Sequence, residues 1–357
     1  MKKTVKILAM LICSTVISGC FGKTEVNDRA FVQLMGIEKR SGVYMVSLQI
    51  YESGGSDGVP DVSKANSSAV AGTGTDVNAA LSECELKAGK KIFLGHVKTV
   101  IIGSGITELP EILSSLTDGG SPRGTVPLSC PIAYSASPSS VTETFMEQGV
   151  FSADRFTDIT DGYVRSGKCV YTDLISVTEK LSLPSGAAAL PVIFSDGKEI
   201  YYSGIAAVNK NGGIYRISEP DVQGFVILSG SFDKKGSIAI PVPDDESSGY
   251  AEITCSKVKT CADISDGRLR INAEVRLKLK TNGSDENYNE KKAAEAVCEN
   301  IRDSCISAYS ETAWYGGCDV FGIYKLMRRD CPSLAEKDAE TVIKESILSI
   351  TVKAETE

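Results

Sequence analysis

Between Arg268 and Lys280 apolar and polar positions alternate strictly. Leu269, Ile271, Ala273, Val275, Leu277 and Leu279 share one face, and Arg268, Arg270, Asn272, Glu274, Arg276, Lys278 and Lys280 share the other. A period of two with one dry and one wet face predicts a strand in an antiparallel sheet that helices cover on one side. The cover follows in the chain. Beyond a cap near Ser284, Ala294, Val297, Cys298, Ile301, Cys305 and Ala308 recur at helical spacing and form one apolar stripe that includes two cysteines. Gly316-Gly317 ends that helix, Asp319 to Asp330 predicts a shorter one stopped by Pro332, and Ile347 to Lys353 predicts a closing strand with Leu348, Ile350 and Val352 inward.

The N-terminal half mixes both periods. Val43 to Tyr51 alternates as a strand, with Tyr44, Val46, Leu48 and Ile50 on one face, and the Gly-, Ser- and Asp-rich stretch Ser53 to Asn66 predicts a loop. Asp76 to Ala88 suits a helix, Lys91 to Gly103 is a β-branched run that predicts a buried strand, and Leu109 to Leu116 predicts a helix with Pro110 in its first turn. After a low-complexity patch, Thr117 to Gly124, a strand is expected over Val126 to Tyr134, and Pro138 opens a helical stretch. Past Pro184 and Gly186 the composition turns to short β runs, which places a boundary near residue 195. The runs are Glu199 to Val208, Gly213 to Ile217, Gln223 to Ser229 and Gly236 to Val242, read as a meander. The first two are joined by Asn209-Lys-Asn-Gly-Gly, whose Asn and Gly tolerate the positive φ of a hairpin turn. The class is α+β, with mixed and antiparallel sheets each covered by helices, in two to three subdomains divided as residues 20–195 and 196–357.

The chain has 357 residues, enough for about two domains with buried cores. Its 42% hydrophobic and 24% charged residues fit a folded globular chain. With 38 basic against 46 acidic residues the charge is −8, the wrong sign for a protein that neutralises phosphates, so no nucleic-acid partner is expected. A single histidine also weighs against acid–base or zinc chemistry. The N-terminus changes the picture more. Lys2, Lys3 and Lys6 precede a short apolar run, Ile7 to Ile17, and Ile17-Ser18-Gly19-Cys20 resembles the site at which bacterial lipoproteins are cut before a cysteine. Residues 1–19 are read as a signal peptide and Cys20 as the lipidated residue. Loss of those three lysines leaves 35 basic against 46 acidic residues, a charge of −11, so the anchor is lipid rather than electrostatic. No later stretch reaches 18 consecutive apolar residues, and the rest of the chain is expected to stand outside the membrane.

Five segments in order behind that cysteine resemble the Ger(x)C family, the C-subunit lipoproteins of spore germinant receptors. They begin with Cys20-Phe-Gly-Lys-Thr-Glu-Val-Asn-Asp followed by Leu34-Met-Gly-Ile-Glu38, and continue with Phe93-Leu-Gly-His-Val-Lys98. Tyr202-Ser-Gly-Ile-Ala-Ala-Val208 and Gly224-Phe-Val-Ile-Leu-Ser-Gly230 come next, and Asp319-Val-Phe-Gly322 with Leu326, Arg328, Arg329 and Pro332 closes the series. Phe21 and Glu38 depart from the family pattern conservatively, and Phe21, Gln223 where Arg is usual, and the extra cysteines point to a divergent member. The resemblance implies a non-enzymatic, lipid-anchored subunit on the outer face of the spore inner membrane. It implies action with an integral-membrane A subunit and a transporter-like B subunit when nutrients trigger germination. Asp319, Phe321, Gly322, Arg328 and Arg329 are the candidate partner-contact residues.

No catalytic residue, metal ligand or cofactor is assigned. His96 has apolar neighbours and no identifiable partner base, so it reads as a structural histidine with a satisfied hydrogen bond. Gly72-Thr-Gly74 and Gly103-Ser-Gly105 complete no phosphate-binding motif and read as turns. The cysteine spacings contain no Cys-x-x-Cys pair, and most of the thiols read as small buried hydrophobes. With Cys13 and Cys20 set aside nine remain, so at least one is free. A solute-binding lipoprotein of a membrane transporter would need two doubly wound lobes, against the consecutive strands of the C-terminal half. A hydrolase would need a Gly-x-Ser-x-Gly elbow, which is absent.

Overall fold

The computed structural model describes residues 28–54, 61–148, 152–233, 235–243, 248–283, 289–334 and 336–357. Strand β1 (Arg29–Arg40) is the axis of the first sheet. On one edge it pairs antiparallel with β2 (Val43–Gly54) across the turn Ser41-Gly42, whose φ values are 50° and 81°, and β3 (Asp61–Gly74) adds antiparallel to β2. The loop expected over Ser53 to Asn66 is therefore shorter: residues 61–66 already lie in β3, where β2 supplies the ladder that their composition does not promote. Helix α1 (Val77–Ala88), capped by the Asp76 carboxylate on Ala79 N–H, lies on β3. Gly72 and Gly74 permit that approach rather than making turns, since a Cβ on either would sit 2.2–2.5 Å from the Ala80 backbone.

On its other edge β1 takes two short parallel strands in line, β4 (Lys91–Phe93) and β5 (Thr99–Ile102). The single strand expected over Lys91 to Gly103 is thus broken. Residues 94–98 leave the ladder in a turn closed by Val97 N–H on Leu94 O (3.1 Å), with Leu94 N–H turned away to Arg123 O (2.8 Å). Helix α2 (Leu109–Thr117) follows, and then β6 (Ile132–Tyr134), shorter than expected because Pro127 and Pro131 cannot donate to a ladder. Helices α3 (Pro138–Glu147), α4 (Ser152–Arg165) and α5 (Leu174–Leu181) lead to β7 (Ala187–Ser195), β8 (Ile200–Asn209) and β9 (Ile214–Ile217). The boundary expected near residue 195 falls inside the β7–β8 hairpin, and the sheet continues to Ile217 in the order β3-β2-β1-β5-β6-β7-β8-β9, with β4 beside β1. Between β6 and β7 one residue pair, Tyr134 with Val192, makes the register. Helices α1, α2 and α5 bury one face with Val46, Leu48, Val100 and Leu190, while α3 and α4 close the other over Leu34, Ile101 and Ile193.

The run Gln223 to Ser229, expected as a strand, is helix α6 (Asp221–Leu228). Val222, Gly224, Phe225, Val226, Ile227 and Leu228 are all buried, and a short element that is apolar all round carries no period to tell helix from strand. The second sheet orders β10 (Ile238–Pro243), β11 (Ser248–Ser265), β12 (Arg268–Gly283) and β13 (Ile347–Thr356). β13 runs parallel to β12 and the other pairs are antiparallel, so this sheet too is mixed. The alternation of β12 holds: Leu269 to Leu279 are at most 4% exposed on the inner face. Helix α7 (Glu290–Tyr309) packs there through Val297, Ile301 and Cys305, and Cys298 lies at the half-buried margin of the stripe rather than on it. Its cap is Asn289, whose Oδ1 accepts from Lys291 and Lys292 N–H at 3.1 Å; Ser284 lies outside the described residues. A π-turn at Ser310–Trp314 leads to the two glycines, then to α8 (Ile323–Asp330) and α9 (Ala339–Lys344). Leu348, Ile350 and Val352 are only half-buried because β13 is a sheet edge.

Ile301 is fully buried and Glu299 exposed on the opposite face of α7. Ile301→Asp places a carboxylate among aliphatic groups and is expected to cost several kcal/mol, a large share of a domain's roughly 5–15 kcal/mol. Glu299→Lys is expected to stay within about 0.5 kcal/mol of the parent. Thermal unfolding of the two variants side by side checks the pair, and an Ile301→Asp protein melting with the parent would refute helix-on-sheet packing.

Candidate functional site

The segment Asp319 to Pro332 meets both bodies of the molecule. Gly322, with φ 74°, turns the chain into α8. Asp319 fills the cap from three residues further back: its Oδ1 accepts Ile323 N–H at 2.5 Å and its Oδ2 accepts Tyr324 N–H at 2.9 Å. The same Oδ2 accepts the hydroxyl of Ser185 at 2.8 Å, from the turn that leads into β7. Enclosure of this carboxylate pushes its pKa above the ordinary value, and the three hydrogen bonds pull the other way. Beside it Cys318 and Val320 pack on Ala187 and Ala207 of β7 and β8. Phe321 sits 5.1 Å from Phe225 and 5.7 Å from Tyr309, ring centre to ring centre.

Asp319 and Phe321, expected on a partner surface, are therefore turned inward to join the two bodies. Gly322, Arg328 and Arg329 are exposed. Arg329 is tied down: it pairs with Asp330 at 2.6 Å and donates to Thr260 O at 3.2 Å, while Asp330 also accepts Ala262 N–H at 2.9 Å. The guanidinium and that N–H hold the Asp330 carboxyl down at about 2. Arg328 lies over the Tyr324 ring at 5.9 Å. Lys325, which the motif does not include, is exposed on the same short helix, which thus carries three exposed cations, two of them, Arg328 and Arg329, in its last turn. Spacing alone would have found Lys325, one turn before Arg328 and Arg329. Ser185 had no local signal, because its partner is 134 residues away.

His96 departs from expectation. It is exposed and held by an edge contact to Phe31 and a tilted one to Phe93, with centroids at 5.3 and 5.7 Å, rather than buried on a hydrogen bond. At the opposite end of β1 lies a second polar cluster that no local pattern announces. Glu108 accepts from Lys39 Nζ at 2.8 Å and from the Tyr44 hydroxyl at 2.8 Å, and these donors, Lys39 foremost, pull its carboxyl down to about 2. All nine described cysteines are free thiols, and six are buried. Burial pushes Cys84, Cys130, Cys169, Cys305 and Cys318 up to about 12, which keeps them protonated and unreactive. Cys20 lies outside the described residues. Among the described residues no three His, Cys, Asp or Glu side chains converge to hold a metal, and no helix is long and apolar enough to cross a membrane.

Two family profiles match this architecture in order. Residues 22–194 match the spore germination protein N-terminal domain, and residues 203–357 match the spore germination B3/GerAC-like C-terminal domain. Over 126 residues the chain is 31% identical to the spore germination protein YfkR of Bacillus subtilis (strain 168), a match covering 32% of this chain and 33% of that one. The chain thus aligns with about a third of that relative's length. The crystal structure of the GerBC protein superposes with a TM-score of 0.59 at 11% identity, covering 90% of this chain and 96% of that one, and shows the same fold.

Removing the Asp319 carboxylate leaves two helix N–H groups and a hydroxyl without their acceptor, so Asp319→Ala is expected to cost about 2–4 kcal/mol. The pH dependence has a definite sign. A carboxyl with a raised folded-state pKa contributes fully below its unfolded value of about 4 and loses that contribution as pH rises through the folded value. Asp319→Asn, which cannot titrate, should therefore gain stability relative to the parent as pH rises above the unfolded value of about 4. Melting curves of both proteins across that range decide it, and a constant difference would count against the enclosed carboxylate.

Proposed function

We propose, from the premise that this chain belongs to the spore germination family defined by those two domains, that it is the non-enzymatic, lipid-anchored C subunit of a nutrient germinant receptor. Its role in spore germination follows from the family. The finer reading is that acyl chains on Cys20 hold the folded body on the outer face of the spore inner membrane, where it assembles with the integral-membrane A subunit and the transporter-like B subunit. Two family domains, over residues 22–194 and 203–357 and in order behind a sequence that resembles a lipoprotein cleavage site, are the observation that carries it.

The surface features agree with a protein that works by contact. Asp319 and Phe321 hold α8 in place, and Lys325 and Arg328 are left on its outside for an acidic partner segment. The solute-binding alternative needs two doubly wound lobes, and the second sheet here, with three antiparallel strands and its helices on one face, is not such a lobe.

Cys20→Ala is expected to leave a folded protein that no longer sediments with membranes when its partner subunits are absent. A single myristoyl-length chain gives marginal binding and two or more give stable anchoring, so the loss should be near complete. Fractionation after a high-salt wash reads the outcome, and a variant that stays wholly membrane-bound would overturn the anchor. In the unaltered anchor background, Lys325→Glu with Arg328→Glu is expected to keep the parental melting temperature and reduce recovery of the A and B subunits on affinity purification. Undiminished recovery would place the assembly surface elsewhere.

A further inference from the structure

The parallel strands of the first sheet share a polarity, and the features beyond their N-terminal ends differ from those at the opposite end. At the C-terminal end of β1 the cations are matched: Lys39 pairs with Glu108 and Arg40 with Glu38, each at 2.8 Å. At the N-terminal end Arg29 and Lys91 face each other across the β1–β4 register, and neither has a carboxylate partner among the described residues. The guanidinium of Arg29 lies instead 5.0 Å from the centre of the Phe93 ring, which in turn meets Phe31 edge-on at 5.8 Å. Past the start of β6, two large side chains stand out at the same end, Leu128 at 51% and Tyr171 at 46% exposure. They are fixed there rather than loose, since Leu128 O accepts Ile175 N–H at 3.0 Å and Ile132 N–H bonds Thr172 O at 3.1 Å.

We propose that this rim, made by Arg29, Phe31, Lys91, Phe93, Leu128 and Tyr171, is the face that rests on the bilayer, with its cations among anionic headgroups and its rings and Leu128 at the acyl boundary. The inference rests on the reading that Cys20 is acylated. Given that anchor, the nine residue steps from Cys20 to Arg29 span at most about 30 Å fully extended, so the rim is the part of the folded body nearest the lipid along the chain. Charge points the same way. A mature chain of −11 is repelled by an anionic leaflet as a whole, and unpaired cations at the root of the tether are the groups that can offset this. Of the three rings, Tyr171 has the amphipathic character that the membrane interface selects, and Phe31, Phe93 and Leu128 supply apolar surface beside the cations.

The test uses the acylated full chain on vesicles of mixed phosphatidylglycerol and phosphatidylcholine carrying brominated acyl chains, which quench nearby indoles. The native Trp314, outside the rim, is the internal reference. Phe93→Trp and Leu128→Trp each add emission that is expected to shift to the blue and lose intensity on brominated lipid, while that of Trp314 is unchanged. Adding Arg29→Glu with Lys91→Glu to either variant should reduce the quenching on phosphatidylglycerol vesicles, as should raised ionic strength. If the chain floats with the vesicles and neither new indole is quenched, the rim does not face the bilayer and the proposal is overturned. Quenching that ignores both charge reversals overturns the electrostatic half of it. A chain that does not float at all overturns the anchor reading itself, a result the flotation step reports separately from the fluorescence.

Discussion

The two bodies of this molecule depend on one close crossing, that of α6 over α7. A Cβ on Gly224 would lie 2.3 Å from Ser304 C and 2.4 Å from Cys305 N, so the helices touch backbone to backbone and only glycine fits. Hydrogen bonds sit in the gap: Gly224 N–H donates to Ser304 Oγ at 2.9 Å, and the Ser307 hydroxyl donates to Asp221 at 2.6 Å. Because α7 is held so close, α6 buries both flanks. Val222, Phe225 and Val226 enter a cluster with Ile205 and Ile217 of the first sheet, while Ile227 and Leu228 enter the core of the second. The bodies share a helix, and the Asp319–Ser185 bond and the Phe225–Phe321–Tyr309 stack close the same joint from the other side.

That joint explains which parts of the architecture were legible in the sequence. β12 and the stripe of α7 were readable because each has one wet face and one dry face, and the alternation is the wet–dry boundary written along the chain. α6 was misread because it has no wet face. β4 and β5 merged into one expected strand because their apolar side chains are continuous with those of the turn, where Leu94 and Val97 are also buried. β11 escaped notice: its outward residues Lys257 and Lys259 are plain, but Val258 between them and Ala262 further along the same face are half-buried rather than core, so the contrast is weak.

The candidate site was legible as a motif and not as a geometry. Asp319 and Phe321 are expected from the motif as partner contacts, and the structure engages them in internal contacts instead, because nothing local distinguishes a carboxylate that caps a helix across a domain joint from one offered to a partner. Arg329 is spent on Asp330 and β11 in the same way. What remains for recognition on α8 is its outer side, where Lys325 and Arg328 carry charge that the fold itself does not use.

The single rung between β6 and β7 gives the molecule a mechanical grain. On either side of it the strands are laced by several backbone pairs, and across it the Tyr134–Val192 pair stands alone in the register. Strands β7–β9 are bound through α6 to the C-terminal body, and the seam beside them is closed by helix α3, which reaches both sides: the Thr142 hydroxyl meets Ser47 Oγ of β2 at 3.1 Å and the Thr144 hydroxyl meets Ser195 Oγ of β7 at 2.5 Å. The two halves of the first sheet are therefore joined less by their ladder than by the helix laid across it.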